Sequence, residues 1–116
     1  MKINLSPQRR DDTLSMSRAG AVLTINGEAF DFSAMSAGDT LPLGAVKSSW
    51  FVGPVENVDG DLEMTIILPL PFNYSPEQAF PQPLVDVPDG PVWLPQSLPE
   101  PPATEVLEEL EGELHA

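Results

Sequence analysis

Residues 50 to 70, WFVGPVENVDGDLEMTIILPL, decide the fold. At their centre stands Asp59-Gly60, a pair suited to a two-residue type I′ turn. Both central residues of that turn need φ > 0, which Gly takes freely and Asp tolerates. Folding the chain about this turn sets Asn57 opposite Leu62, Val55 opposite Met64, Gly53 opposite Ile66 and Phe51 opposite Leu68, all on one face. The other face carries Val58/Asp61, Glu56/Glu63 and Val52/Ile67, and becomes polar toward the turn. An apolar face backed by a mixed one is the pattern of an antiparallel pair covering a small core.

Upstream, residues 21 to 32 (AVLTINGEAFDF) form a second hairpin with Asn26-Gly27 at the tip. Ala21, Leu23 and Ile25 then share a face with Phe30 and Phe32, while Val22, Thr24, Ala29 and Asp31 face outward. Lys2 to Leu5 reads as a short strand stopped by Ser6-Pro7. Residues 13 to 17 alternate, with Leu14 and Met16 on one side. Arg18-Ala19-Gly20 reads as a link. Residues 33 to 44 are a small, polar connection bending at Gly38-Asp39.

Past Leu68 the composition changes. Eleven of the fourteen prolines fall between Pro69 and Pro102, which argues against a further central strand. Ser75-Pro76-Glu77 is an N-cap followed by proline at the first helical position, predicting one turn of helix over residues 76 to 80. The segments at residues 84 to 87 and 92 to 94 flank Pro88-Asp89-Gly90-Pro91. They form either a small hairpin or an arm strapped over the sheet, with Leu84, Val85, Val92 and Trp93 as anchors. Residues 95 to 103 read as a stiff proline-rich linker. Thr104 caps a short acidic amphipathic helix over residues 104 to 116, striped by Val106, Leu107, Leu110 and Leu114. The expected class is mainly β: a small antiparallel hairpin domain, meander or sandwich-like, over residues 1 to 94. A proline-rich arm at residues 69 to 94 and the acidic C-terminal helix complete it.

The totals narrow the function. With 116 residues there is room for one domain and an appendage. The chain has no cysteine, and its single histidine, His115, stands beside the C-terminus, so thiolate or histidine metal sites and a Ser-His triad are not expected. There is no membrane-length apolar run and no signal-peptide pattern, which predicts a chain made in a cytoplasm or packed into a particle there. Neither a GxGxxG pattern nor a phosphate loop is present, and no cofactor is expected.

The net charge of −13 is unevenly placed. Lys2, Arg9, Arg10, Arg18 and Lys47 are all the basic residues, and the acids up to Asp39 balance them. From Ser48 onward there are thirteen acids and no Lys or Arg. Direct nucleic-acid or anionic-membrane binding calls for the opposite sign. A basic protein partner is the complement. Within the acidic part, Glu56, Asp61 and Glu63 form a patch on the outer face of the central hairpin. It suits a cation or a partner's Lys/Arg, or is merely a solvated face; catalysis by the carboxylate pair is disfavoured for want of a pocket. The candidate contact residues are Trp93 and Leu94 in the proline-rich stretch and, in the C-terminal helix, Val106, Leu107, Leu110 and Leu114 with Glu108 and Glu109. An acidic leucine stripe behind a proline-rich spacer is a form that fold-on-binding segments take.

MKINLSPQRRDD (residues 1–12), LTINGEAFDFS (23–33), DGDLEMTIILP (59–69) and FPQPLVDVPDGPVWLP (80–95) resemble small proteins from the tail-gene region of temperate tailed phages and prophages. The likeness covers most of residues 1 to 95. After the second hairpin those proteins continue as something like LPHGANAP; here LPLPFNYSPEQAFPQP stands instead. The resemblance implies a non-enzymatic virion or assembly accessory, in the particle or the host cytoplasm, that binds other tail or fibre proteins. It supplies no catalytic residues and leaves open whether the chain self-associates. The charge asymmetry raises an alternative: an acidic DNA mimic that inhibits a host nucleic-acid-binding protein.

Overall fold

The computed structural model describes residues 1–99. The acidic helix expected over residues 104 to 116, with Val106, Leu107, Leu110, Leu114, Glu108 and Glu109, lies outside them. The described part is mainly β, in two four-stranded sheets. In chain order the strands are β1 (Lys2–Arg9), β2 (Met16–Ala19), β3 (Val22–Ile25), β4 (Glu28–Asp31), β5 (Thr40–Leu41), β6 (Val55–Val58), β7 (Asp61–Leu70) and β8 (Gly90–Pro91). A 3₁₀ turn at Leu43–Ala45 and one helical turn, α1 (Pro76–Ala79), complete the elements. The first sheet runs β1-β7-β6-β5 and the second β4-β3-β2-β8. No described helix is long and apolar enough to cross a membrane.

Both expected turns form. Asn26 and Gly27 have φ of 49° and 87°, and Asp59 and Gly60 have 54° and 91°, the double positive φ of type I′. Leu23 faces Phe30 and Ile25 faces Glu28 across β3–β4, with Leu23, Ile25 and Phe32 buried as the alternation predicts. In β6–β7, Asn57 faces Leu62 and Glu56 faces Glu63. Farther from the turn the pairing slips, because Phe51 meets Ile66 and not Leu68. From Glu56 back to Phe51 the strand advances five residues while its partner advances three, from Glu63 to Ile66. The two extra residues bulge out around Gly53-Pro54, where proline has no N–H to give the ladder. A slip of two preserves the face, so Phe51 still enters the core.

The expected mainly antiparallel hairpin domain is corrected in three places. First, β1 runs parallel to β7, from Lys2 beside Glu63 to Arg9 beside Leu70, and continues through Pro7. Ile3 both donates to and accepts from the Leu84 backbone, on the side away from β7. Every second residue of a parallel strand points its backbone groups the same way, so Pro7's missing N–H falls on the outer edge and costs no ladder bond. Second, the strand expected at residues 13 to 17 is Met16–Ala19. Third, the supposed link is a third hairpin, in which Gly20 (φ 60°) and Ala21 turn β2 into β3. Glycine first in a two-residue loop is the requirement of a type II′ turn.

The sheets share one core. Ile3, Leu62, Met64, Ile66, Val55 and Phe51 meet Met16, Leu23, Ile25 and Phe32. Phe51 takes the edges of Phe30 and Phe32 at centroid distances of 5.2 and 6.1 Å, joining the two layers. One polar side chain is built into this interior. Asn57 donates to the Met35 carbonyl at 3.1 Å and accepts from the Gly60 amide at 2.8 Å, tying the residue 35–39 loop to the turn.

Candidate functional site

The stretch after β7 folds by local capping and then by borrowing strand edges. Ser75 caps α1: its hydroxyl accepts from the Gln78 amide at 3.2 Å, and the Gln78 side chain accepts from the Ser75 amide at 3.0 Å. This reciprocal capping box satisfies two orphan donors of a one-turn helix. The same hydroxyl donates to the Gln96 carbonyl at 2.7 Å. Asn73 and Leu98 also exchange two hydrogen bonds, so the fold's contacts run past the boundary expected at residue 94.

Residues 84 to 94, here called the strap, run along the edges of both sheets. Leu84 pairs with Ile3 at the edge of the first sheet, and β8 pairs with β2 at the edge of the second. Between them the Val87 amide donates to the Met1 carbonyl, and the Val92 amide donates to that of Met16. Arg18 donates to the carbonyls of Val87 and Gly20, while Asp89 accepts from the Gly20 amide at 3.0 Å. One side of the sandwich is thereby stitched across both layers.

The anchors differ in part from those expected. Leu84 and Val92 face inward and Val87 joins them, but Val85 and Trp93 point out, 61% and 65% exposed. The backbone explains both. Val92 and Leu94 pack on the core, so Trp93, between them in an extended chain, is turned away. Asp86 adopts φ 51°, which breaks the alternation and sends Val87 inward after Val85 has pointed out.

Trp93 separates two clefts. One, of about 470 Å³, is walled by Phe80, Pro83, Leu84, Pro95 and Trp93, with Glu77 as its ionisable residue. The other, of about 240 Å³, lies against Val85, Pro88 and Val92. Phe80, at the C-terminus of α1, is 82% exposed. Phe80, Val85 and Trp93 stand in solvent at the rims, while Leu84, Val92 and Pro95 are more buried behind them. Trp93 and Leu94 thus part company: one lines the clefts and the other packs on the core. Phe80 and Pro83 carried no signal in the sequence, because Phe80 follows a one-turn helix and owes its place to the cap.

The acidic patch is assembled and largely met by cations. Glu56 faces Glu63 as expected, but β1 lies along the other side of β7. The Met1 ammonium binds Asp61, Lys2 Nζ stands 3.7 Å from Glu63, and Asn4 donates to Glu63 at 3.1 Å. Among the described residues no group of three or more His, Cys, Asp or Glu is placed to hold a metal. At the end of β1 Arg9 pairs with Asp11 at 2.7 Å, and Arg10 donates to Asp12 at 3.0 Å while lying 4.6 Å over the Trp50 ring. The hydrogen bond from Arg10 holds the Asp12 carboxyl below its usual range despite some opposing desolvation. That keeps it charged, the reverse of what a general acid needs. A polar cleft of about 350 Å³ runs from Asp11 and Asp12 to Asn73 and Gln96. Its carboxylates are the ones already paired to arginine.

Compared with known proteins, the chain matches no family model, no curated protein and no solved structure.

Proposed function

We propose that this chain is a non-enzymatic accessory of phage virion or tail assembly, acting in the particle or the host cytoplasm by binding another protein through the face around Trp93. One observation carries the binding role. Of the nine large apolar side chains exposed in the described residues, six (Phe72, Tyr74, Phe80, Val85, Trp93 and Leu98) belong to the stretch after β7. Apolar surface concentrated on one short segment, on a rigid double sheet, is what an interaction face requires. The phage setting is supported by the sequence resemblance alone. The acidic segment beyond Pro99, with Val106, Leu107, Leu110 and Leu114, supplies a second contact in this reading.

A DNA mimic would need rows of free carboxylates. Asp61 and Glu63 are instead engaged by the Met1 ammonium and Lys2, which favours the first reading. Mass spectrometry of purified particles and of assembly intermediates tests it, with the polypeptide expected at a fixed ratio to tail proteins. Absence from both would remove the phage assignment. A chain lacking residues 100 to 116 should stay folded and bind a purified tail partner more weakly; unchanged binding would withdraw the C-terminal contact.

A further inference from the structure

We infer that the paired clefts about Trp93 take an apolar polypeptide segment flanked by Lys or Arg, contributed by a different protein. The inference rests on the protein-binding part of the reading above and adds the chemistry of the occupant. Trp93, Pro83 and Leu84 line both clefts and Phe80 lines the larger, so an entering side chain meets aromatic and proline surface. Tryptophan at the middle of an apolar contact carries a large share of binding energy, because it buries much area with little rotamer loss.

Charge selects the occupant. Glu77 lines the larger cleft, and Asp86 adjoins Val85 of the smaller. Neither forms an ion pair among the described residues. The chain has no Lys or Arg after Lys47, so nothing on this stretch of sequence neutralises them. A second copy of the chain, at net charge −13, is repelled. The chain's own sequence beyond Glu100 carries glutamates and no Lys or Arg to complement them. A segment with Lys or Arg beside its apolar residue gains at Glu77, with Asp86 adding to the negative charge nearby, and gains most at low salt.

The test uses the full chain carrying Trp50→Phe, which leaves Trp93 as the sole indole. Titration with the synthetic peptide KRLFPRK should shift Trp93 emission to the blue, while EELFPEE should leave it unchanged. In the wild-type chain, calorimetry should show Trp93→Ala and Phe80→Ala each weakening KRLFPRK by about tenfold or more. Glu77→Gln should weaken it severalfold and flatten its salt dependence. Each variant is checked by its denaturation midpoint, expected near wild type because these side chains stand in solvent. Equal binding of the two peptides would overturn the inference, as would no binding of either at millimolar concentration, or full affinity in Trp93→Ala and Phe80→Ala. A blue shift that grows with protein concentration alone would give the site to a second copy. A red shift on removing residues 100 to 116 would give it to the chain's own segment. A chain absent from particles that still binds KRLFPRK at Trp93 keeps this inference and loses only the phage setting.

Discussion

The first seventy residues and the twenty-nine described after them use apolar side chains in opposite ways. In the hairpins a two-residue period sorts each side chain inward or outward, and Leu23, Ile25, Met64 and Ile66 are all but sealed from water. In the proline-rich stretch the backbone is held by borrowed edges at Ile3, Met1, Met16 and Arg18, while Phe72, Phe80 and Trp93 are left outside. A regular ladder buries one whole face; the strap buries only Leu84, Val87, Val92 and Leu94 and leaves its large aromatics outside. Its outward residues are therefore left exposed, and in the proposed reading stability and binding fall to different parts of one small sandwich.

The sharpest way to break this contrast is to hollow the ladder. Ile66 is 0% exposed and lies between Leu5 of β1 and Phe51. Ile66→Ala should cost about 2–5 kcal/mol, from lost transfer energy and the cavity left behind. For a chain this short that is much of the total stability. Urea denaturation followed by far-UV dichroism measures it; a loss under 1 kcal/mol would mean that β7 is not the centre of the core. Next comes Gly27→Val, at φ 87° in the β3–β4 turn. A β-branched residue there should cost about 1–3 kcal/mol through backbone strain alone, since nothing lies within 4 Å of the added Cβ. Arg18→Ala removes the donors to Val87 and Gly20 and should cost about 1–2 kcal/mol. It should also speed hydrogen exchange at the Val87 and Val92 amides with little change at Leu23. Equal acceleration in both places would show strap and ladder to be one cooperative unit. Trp93→Ala, by contrast, should change stability by no more than about 0.5 kcal/mol.

What was legible in the sequence was local. Asn26-Gly27, Asp59-Gly60 and the Ser75 cap each carry their geometry within four residues, and all three form. The faces near both turns followed from them, and the slip at Gly53-Pro54, being even, still sends Phe51 inward, whereas Ile67, expected on the outer face, is buried as well. The β2–β3 hairpin was missed because Gly20-Ala21 is a weaker turn signal than Asn-Gly, and Arg18 resembled a linker residue. The parallel union of β1 with β7 could not be read at all. Asn4 and Glu63 are 59 residues apart, and no local rule names a parallel partner at that range. The same long-range pairing explains the acidic patch: without β1 in place, Asp61 and Glu63 look free. The outward turn of Trp93 was written in the alternation Val92-Trp93-Leu94, but only once something fixes which neighbours face the core. The inversion at Asp86 has no sequence marker beyond the tolerance of Asp for positive φ.

The smallest expected effect concerns acid, and it belongs to the ladder region. The Ser33 side chain and the Ser33 amide, which donates at 2.9 Å, both act on Asp31, the last residue of β4. These favour the charged carboxylate and hold it below its ordinary value of 3.8. A carboxyl whose pKa is lower in the folded than in the unfolded chain adds stability that is complete above the unfolded value and is lost as pH falls through the folded one. Melting temperatures should therefore decline below about pH 4, with Asp12, held down by Arg10, contributing in the same direction. Both side chains stand in water, so each share is small and screened by salt. Asp31→Asn keeps an acceptor for Ser33 but cannot titrate. Its melting temperature should fall less steeply than that of wild type below pH 4, and acid should raise exchange at the Ser33 amide before it does so at Val87. Parallel acid curves for the two proteins would mean that the Asp31 turn contributes nothing to folding. Earlier loss at Val87 would place the acid-sensitive element in the strap and reverse the division of labour argued from the ladder.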